Sequence, residues 1–255
     1  MGKDFNYYRK ISGVDNYEKI RTQGIEEVRK ELTDAFEIPL DCYEVNFGDR
    51  VQKLTICPGS SENVKEITSL PDETFALGSV FEWMDVRYLI HKKDANLSLH
   101  TKGQAKRCEK ELRWKTVDGE LLVYPCTTED ATKYSTGEEQ GYYIDSGEFQ
   151  IKVLVTLDRN TALIRRGQRF LIDSMAFLED TIQSGFIPNA FRVTRRNVVT
   201  GVYNEEGYVE LTLCEDQFNK ETDNALEMIA DDPELTGEDD KDYSDTNDKA
   251  DGEVF

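Results

Sequence analysis

Phe149-Gln150-Ile151-Lys152-Val153-Leu154-Val155 sets an apolar side chain at every odd position. Successive residues of a strand point to opposite faces, so this period of two predicts a strand with one face buried and the other wet. Tyr208-Val209-Glu210-Leu211-Thr212-Leu213 repeats the pattern, with Val209, Leu211 and Leu213 on one side. Half-buried alternation of this kind belongs to antiparallel sheet. Upstream, Cys108, Leu112 and Trp114 share one face while Arg107, Glu109, Glu111 and Arg113 form the other, which predicts a long strand exposed on one side. Asp118-Gly119 is a tight-turn signal leading into Glu120-Leu121-Leu122-Val123-Tyr124, a strand expected to end at Pro125.

A weak internal repeat organises the middle of the chain. Leu77-Gly78-Ser79-Val80-Phe81-Glu82-Trp83-Met84-Asp85-Val86-Arg87-Tyr88-Leu89 aligns with Arg166-Gly167-Gln168-Arg169-Phe170-Leu171-Ile172-Asp173-Ser174-Met175-Ala176-Phe177-Leu178. Each copy has a glycine, an aromatic three residues later and another ten residues later, and reads as glycine turn, strand, tight turn, strand. Two such hairpins suggest a small barrel, closed or nearly so, which hides its strand edges. Duplication and convergence of hairpin sequences both account for the likeness.

Outside this β-rich middle the pattern changes twice. Ile20, Ile25, Val28, Leu32 and Phe36 recur at helical spacing after a possible cap at Asp15 or Asn16, and Pro39 stops the run. From Asp231 to Phe255 there are 11 acidic residues against 2 basic ones, too little apolar matter to offset the entropy of ordering. The expected fold is therefore mainly β, a small antiparallel β-barrel or sandwich body with an N-terminal helix and an acidic, disordered C-terminal tail. Its parts are a helical arm at 1–40, a barrel-like body at 41–230 with a long polar loop near 126–147, and the tail at 231–255. A further exposed turn is expected at Tyr203-Asn204-Glu205-Glu206-Gly207-Tyr208.

Composition excludes several classes of function. The 255 residues carry 31 basic and 51 acidic side chains, a formal charge of −20, which disfavours binding nucleic acid by phosphate neutralisation. A negative wall would still suit a conduit through which DNA slides without sticking. No apolar run is long enough to span a bilayer and the first residues lack a signal-peptide core, so a soluble product with no membrane partner is expected. Asn6 stands where a myristoylation motif needs Ser or Thr.

Catalytic motifs are sparse. The five cysteines (Cys42, Cys57, Cys108, Cys126, Cys214) contain no C-x-x-C pair, and read as reduced thiols. His91, His100 and Cys108 are types that ligate zinc or form a Cys–His pair, but at irregular spacing. Pro58-Gly59-Ser60-Ser61 is a turn without the lysine of a phosphate-binding loop. Asp145 and Glu148 beside Tyr142-Tyr143 could line a sugar site. No cofactor or metal and no enzymatic activity is expected. The main departure from acidity is a basic cluster, Arg159, Arg165, Arg166 and Arg169 followed by Arg192, Arg195 and Arg196. These arginines are the candidate assembly contacts, meeting an acidic surface of an adjoining subunit or the acidic tail, with DNA phosphates as the lesser alternative.

The segments Leu77 to Trp83 and Tyr88-Leu89-Ile90, then Arg107-Cys108 and Leu112-Arg113-Trp114, then Arg166 to Ile172 and Gly207 to Leu213, resemble small β-barrel virion proteins of tailed bacteriophages. The likeness covers roughly residues 70–224 and is nearest to the head-tail connector, or head-closure, proteins of phages infecting Gram-positive bacteria. It implies a non-enzymatic structural protein, synthesised in the host bacterial cytoplasm and built into the virion neck. There it would form a homo-oligomeric ring between portal or adaptor and tail proteins, close to the packaged DNA. The helical arm and the acidic tail depart from a minimal head-closure barrel. Rival expectations are a tail-terminator or baseplate protein, a β-rich carbohydrate-binding or carbohydrate-active protein, and an acidic mimic of nucleic acid.

Overall fold

The structure, a computed structural model, describes residues 14–37, 41–48, 50–71, 73–94, 100–116, 118–131, 149–173, 187–203 and 205–236. It is mainly β, with an N-terminal helix α1 (Val14–Glu37). The helix ends two residues before Pro39, as expected. Asp15 and Asn16 fall inside its first turn rather than at the cap.

The body holds two β units rather than one barrel. The first consists of β1 (Cys42–Asn46), β2 (Val51–Pro58), β3 (Val64–Ser69), β4 (Val80–Trp83), β5 (Val86–Asp94) and β6 (Lys102–Arg107). They form a closed barrel in the order β1-β2-β3-β6-β5-β4. The second consists of β7 (Lys110–Lys115), β8 (Leu121–Asp130), β9 (Gln150–Thr156), β10 (Arg169–Leu171), β11 (Ala190–Asn197) and β13 (Glu206–Asp216), with the short β12 (Val202–Tyr203) hairpinned onto β13. Its order is β7-β8-β9-β13-β11-β10. With β12 set aside, this is the same strand order as the first barrel. Along the chain, Cys108 and Glu109 connect the last strand of the first to the first strand of the second.

The internal repeat marks equivalent places in the two units. Gly78 (φ +80°) and Gly167 (φ +86°) each precede the fourth strand, in a left-handed conformation that suits glycine. The Gly78 amide donates to the Ile90 carbonyl (2.8 Å) and the Ile90 amide returns to the Ser79 carbonyl (2.9 Å). Gly167 and Val193 do the same, with Val193 returning to Gln168, at 2.8 and 2.9 Å. In both units the fifth strand then slips register, after Ile90 and after Val193. In the second copy the strand Arg169–Leu171 pairs beyond the aligned segment, unlike in the first. Its partner strand is Ala190–Asn197, because a stretch containing residues 174–186, outside the described ones, intervenes.

Two further expectations are corrected. β8 runs through Pro125 to Asp130, since Pro125 stands where the strand changes neighbours from β7 to β9 and a ladder donor can be spared. The expected loop near 126–147 therefore begins later, and residues 132–148 lie outside the described ones. The expected tail also begins later. Residues 217–236 fold back on the second unit, including the short helix α2 (Pro233–Thr236), with Asp223 and Asp232 buried.

Each unit has its own core. Val45, Leu54, Ile67, Phe75, Phe81 and Tyr88 fill the first, with Phe81 stacked on Tyr88 and Trp83 set edge-on against Tyr43. Leu112, Val153, Val155, Phe170, Val193 and Leu211 fill the second, with Trp114 edge-on to Phe170. Burying side chains of this size stabilises the fold by about 1.5–3 kcal/mol each. A small third cluster joins Leu171 and Ala190 to Met228 and Ala230 of the returning segment.

The seams of the two units differ. In the first, β4 bonds to β1 and closes the ring. In the second, β10 is three residues long and no ladder joins it to β7 among the described residues. The returning segment bridges this gap. Asp232 pairs with Lys115 of β7 (3.1 Å), while Asp223 and Asp231 pair with Arg169 of β10 (2.8 and 2.7 Å). Between the units, Glu206 accepts from the Leu77 amide (3.1 Å) and from Lys93 (3.0 Å), Arg87 pairs with Glu111, and Lys106 with Glu129. Gly78 meets Gly207 so closely that an added Cβ would lie 1.7 Å from the Gly207 oxygen.

Candidate functional site

The seven candidate arginines divide into two groups on the second unit. Arg169 is an internal hub with a tenth of its side chain exposed. Its Nε donates to Asp216 (2.9 Å), Nη1 to Asp223 and Asp231 (2.8 and 2.7 Å), and Nη2 to Asp223 and the Gln217 carbonyl (2.8 and 2.6 Å). A guanidinium has five N–H donors, and here all five are used. Burial alone would raise the Asp223 carboxyl, but the bonds from Arg169 together with those from the Asn219 and Asp231 amides outweigh it and hold the group below the ordinary aspartate range. Arg192 shares Asp216 through Nε and Nη2 (3.0 and 2.8 Å). Arg169, expected to contact a neighbour, is thus committed inside its own chain.

Arg159, Arg165, Arg166, Arg195 and Arg196 differ: no carboxylate among the described residues pairs with any of them. Arg165, Arg166 and Arg196 line a depression of about 400 Å³ with Ala162, Leu163 and Ile164. One wall is the short 3-10 turn Thr161–Leu163 and the residues after it. That turn is held from below. Asp158 Oδ1 accepts from the Asn160 and Thr161 amides (2.9 and 2.8 Å), and Tyr124 Oη donates to Asp158 Oδ2. The Thr161 hydroxyl donates to the Thr156 carbonyl (2.7 Å), tying the turn to the end of β9.

Arg196 forms the floor. It pairs in register with Leu211, a core position, so its stem runs beneath the turn and is half-buried. Nη2 donates to the Ala162 carbonyl at 2.6 Å, whereas Nε is buried with no acceptor. A buried donor left unpaired costs about 1–3 kcal/mol. Arg165 and Arg166 are exposed on the rim, while Arg159 and Arg195 are exposed elsewhere on the same unit. The remaining donors of the Arg196 guanidinium, with two further cations at the edge, suit a carboxylate or a phosphate group.

The other candidate chemistry does not converge. All five cysteines are free thiols. Burial pushes the Cys108 thiol up to about 12, which keeps it protonated. Burial, with Lys106 and Lys92 beside it, pushes His91 down to about 4. Among the described residues no group of three His, Cys, Asp or Glu could hold a metal ion, and no helix is long and apolar enough to cross a membrane. Tyr142, Tyr143, Asp145 and Glu148 lie outside the described residues.

The sequence reading missed the carboxylates that decide which arginines are free. Asp216, Asp223, Asp231 and Asp232 looked like part of a general acidity. A faint signal was available in Asp223-Asn224, a capping-type pair on an otherwise charged stretch.

No family model and no curated protein matches the chain. Among solved structures, that of K. pneumonia MrkH in its apo state aligns with 75% of this chain and 85% of its own, at 9% identity and a TM-score of 0.25. A likeness that weak carries no argument about fold or function.

Proposed function

We propose that the chain is a structural protein of a tailed-phage virion, forming a homo-oligomeric ring in the head-tail connector between portal or adaptor and tail proteins. The observation that carries this reading is the helical arm. α1 runs for 24 residues and leaves Ile20 and Val28 exposed, 67% and 43% accessible, and among the described residues its packing on either barrel is slight. A lone helix of mixed composition is marginal in water, so an arm of this kind gains stability by docking on a neighbour. Arg165, Arg166 and Arg196, which no carboxylate pairs among the described residues, are a second surface suited to a charged partner. The motif resemblance supplies the neck as the place. No catalytic step is assigned to the protein, and its contact with DNA is one of proximity.

Electron microscopy of the purified full chain, together with co-sedimentation on intact particles, tests the proposal. Rings of one fixed subunit number that also occur in particles support it. A protein that stays monomeric at high concentration and is absent from particles overturns it.

A further inference from the structure

We propose that the depression floored by Arg196 is an anion site, and that its occupant is the acidic segment 238–253 of the same chain. This goes beyond the virion reading and does not depend on it.

The site is built to receive negative charge from outside the described fold. Arg196 is anchored by one bond to the Ala162 carbonyl and keeps a buried Nε without an acceptor. Arg165 and Arg166 stand at the rim, and no described carboxylate pairs with any of the three. The contrast with Arg169 is informative. There Asp216, Asp223 and Asp231 are all engaged, so the nearby acids of the returning segment are already used.

Charge and connectivity select the occupant. Between residues 238 and 253 there are eight acidic residues and two lysines, with Glu238, Asp239, Asp240 and Asp242 the densest group. A chain of net charge −20 repels free polyanions such as nucleic acid at long range. A covalently attached anion avoids that penalty, because tethering supplies an effective concentration of millimolar order. The described chain ends at Thr236 on the same unit as the depression. The 19 residues beyond it reach about 60 Å when extended, well past the roughly 13 Å radius of gyration of a unit this size.

The test is arginine-directed labelling of the full chain with phenylglyoxal, read residue by residue by mass spectrometry. The reference is a full-length variant carrying Glu238→Gln, Asp239→Asn, Asp240→Asn and Asp242→Asn. With an effective concentration near 1 mM, a dissociation constant about a tenth of it would leave about a tenth of the sites open. Arg165, Arg166 and Arg196 should then be labelled about tenfold more slowly in the native chain than in the variant. Arg159 and Arg195 should change little, and salt near 1 M, where the Debye length is about 3 Å, should abolish the difference. Equal labelling of the two proteins overturns the proposal. So does protection lost on dilution, which assigns the occupant to another copy. Protection by a short duplex DNA, with native chain and variant alike in its absence, assigns the site to phosphate and also overturns it.

Discussion

The two β units share one strand order, one glycine turn before the fourth strand and one register slip in the fifth, yet they close differently. The first joins its ends through backbone hydrogen bonds between β1 and β4 and fills its interior with Phe75, Phe81 and Tyr88. Among the described residues the second leaves its ends unladdered and spans them with side-chain ion pairs from a segment that returns after the last strand. A backbone seam needs no particular side chains. A seam held by charge depends on a few named residues, and the free arginines and the long insertions lie on that same unit.

Arg169→Met is the largest expected break in this contrast. It leaves Asp223 buried and unpaired beside Asp216 and Asp231, a loss of about 3–5 kcal/mol for a buried ion network missing one partner. Chemical denaturation should report it. The two tryptophans allow the units to be followed separately, because Trp83 packs in the first and Trp114 in the second. Acid should act in the same direction. Asp216, Asp223 and Asp232 sit below their ordinary values because, despite burial, hydrogen bonds and ion pairs favour the charged form. Their stabilisation is present above about pH 4 and is lost as pH falls through the depressed folded values.

Gly78→Ala comes next. It places a Cβ into the Gly207 backbone and forces a left-handed φ on alanine, at roughly 3 kcal/mol, through strain that must move one unit relative to the other. Both tryptophans should then report the change, unlike in the Arg169 variant.

Much of this frame was legible in the sequence. Alternation found β9 and β13, and the pair of glycines with their following aromatics found the equivalent turns at Gly78 and Gly167. The partner of β10 was not legible, because local spacing cannot reveal that the chain makes an excursion before pairing. Nor was the split among the arginines. Arg165, Arg166 and Arg169 lie within five residues, and only contacts with Asp216, Asp223 and Asp231, 47 to 62 residues away, separate the hub from the free pair. Composition likewise read residues 231–236 as solvated tail. Asp232 is buried there because Lys115, on a strand far earlier in the chain, neutralises it.

A smaller effect sharpens the junction between the units. His91 lies on β5, near the Lys106–Glu129 pair that links β6 to β8, and its Nδ1 has no partner. Its pKa, pushed down to about 4, means the unfolded chain takes up the proton first, so its contribution to stability is complete above about pH 6.5 and falls as pH drops towards 4. His91→Gln should flatten the melting temperature over that window. The smallest effect is expected at the rim of the depression, where Arg165→Ala with Arg166→Ala should change stability by less than about 0.5 kcal/mol. A large loss there would mean that these arginines hold the fold, as Arg169 does.

Hydrogen–deuterium exchange on the Arg169→Met chain, compared with the native protein strand by strand, tests the difference between the two closures most directly. Faster exchange in β7, β10 and β11 with β1 to β6 unchanged is the predicted result. Uniform acceleration across both units, or none in β7 and β10, would contradict an ion-paired seam confined to the second.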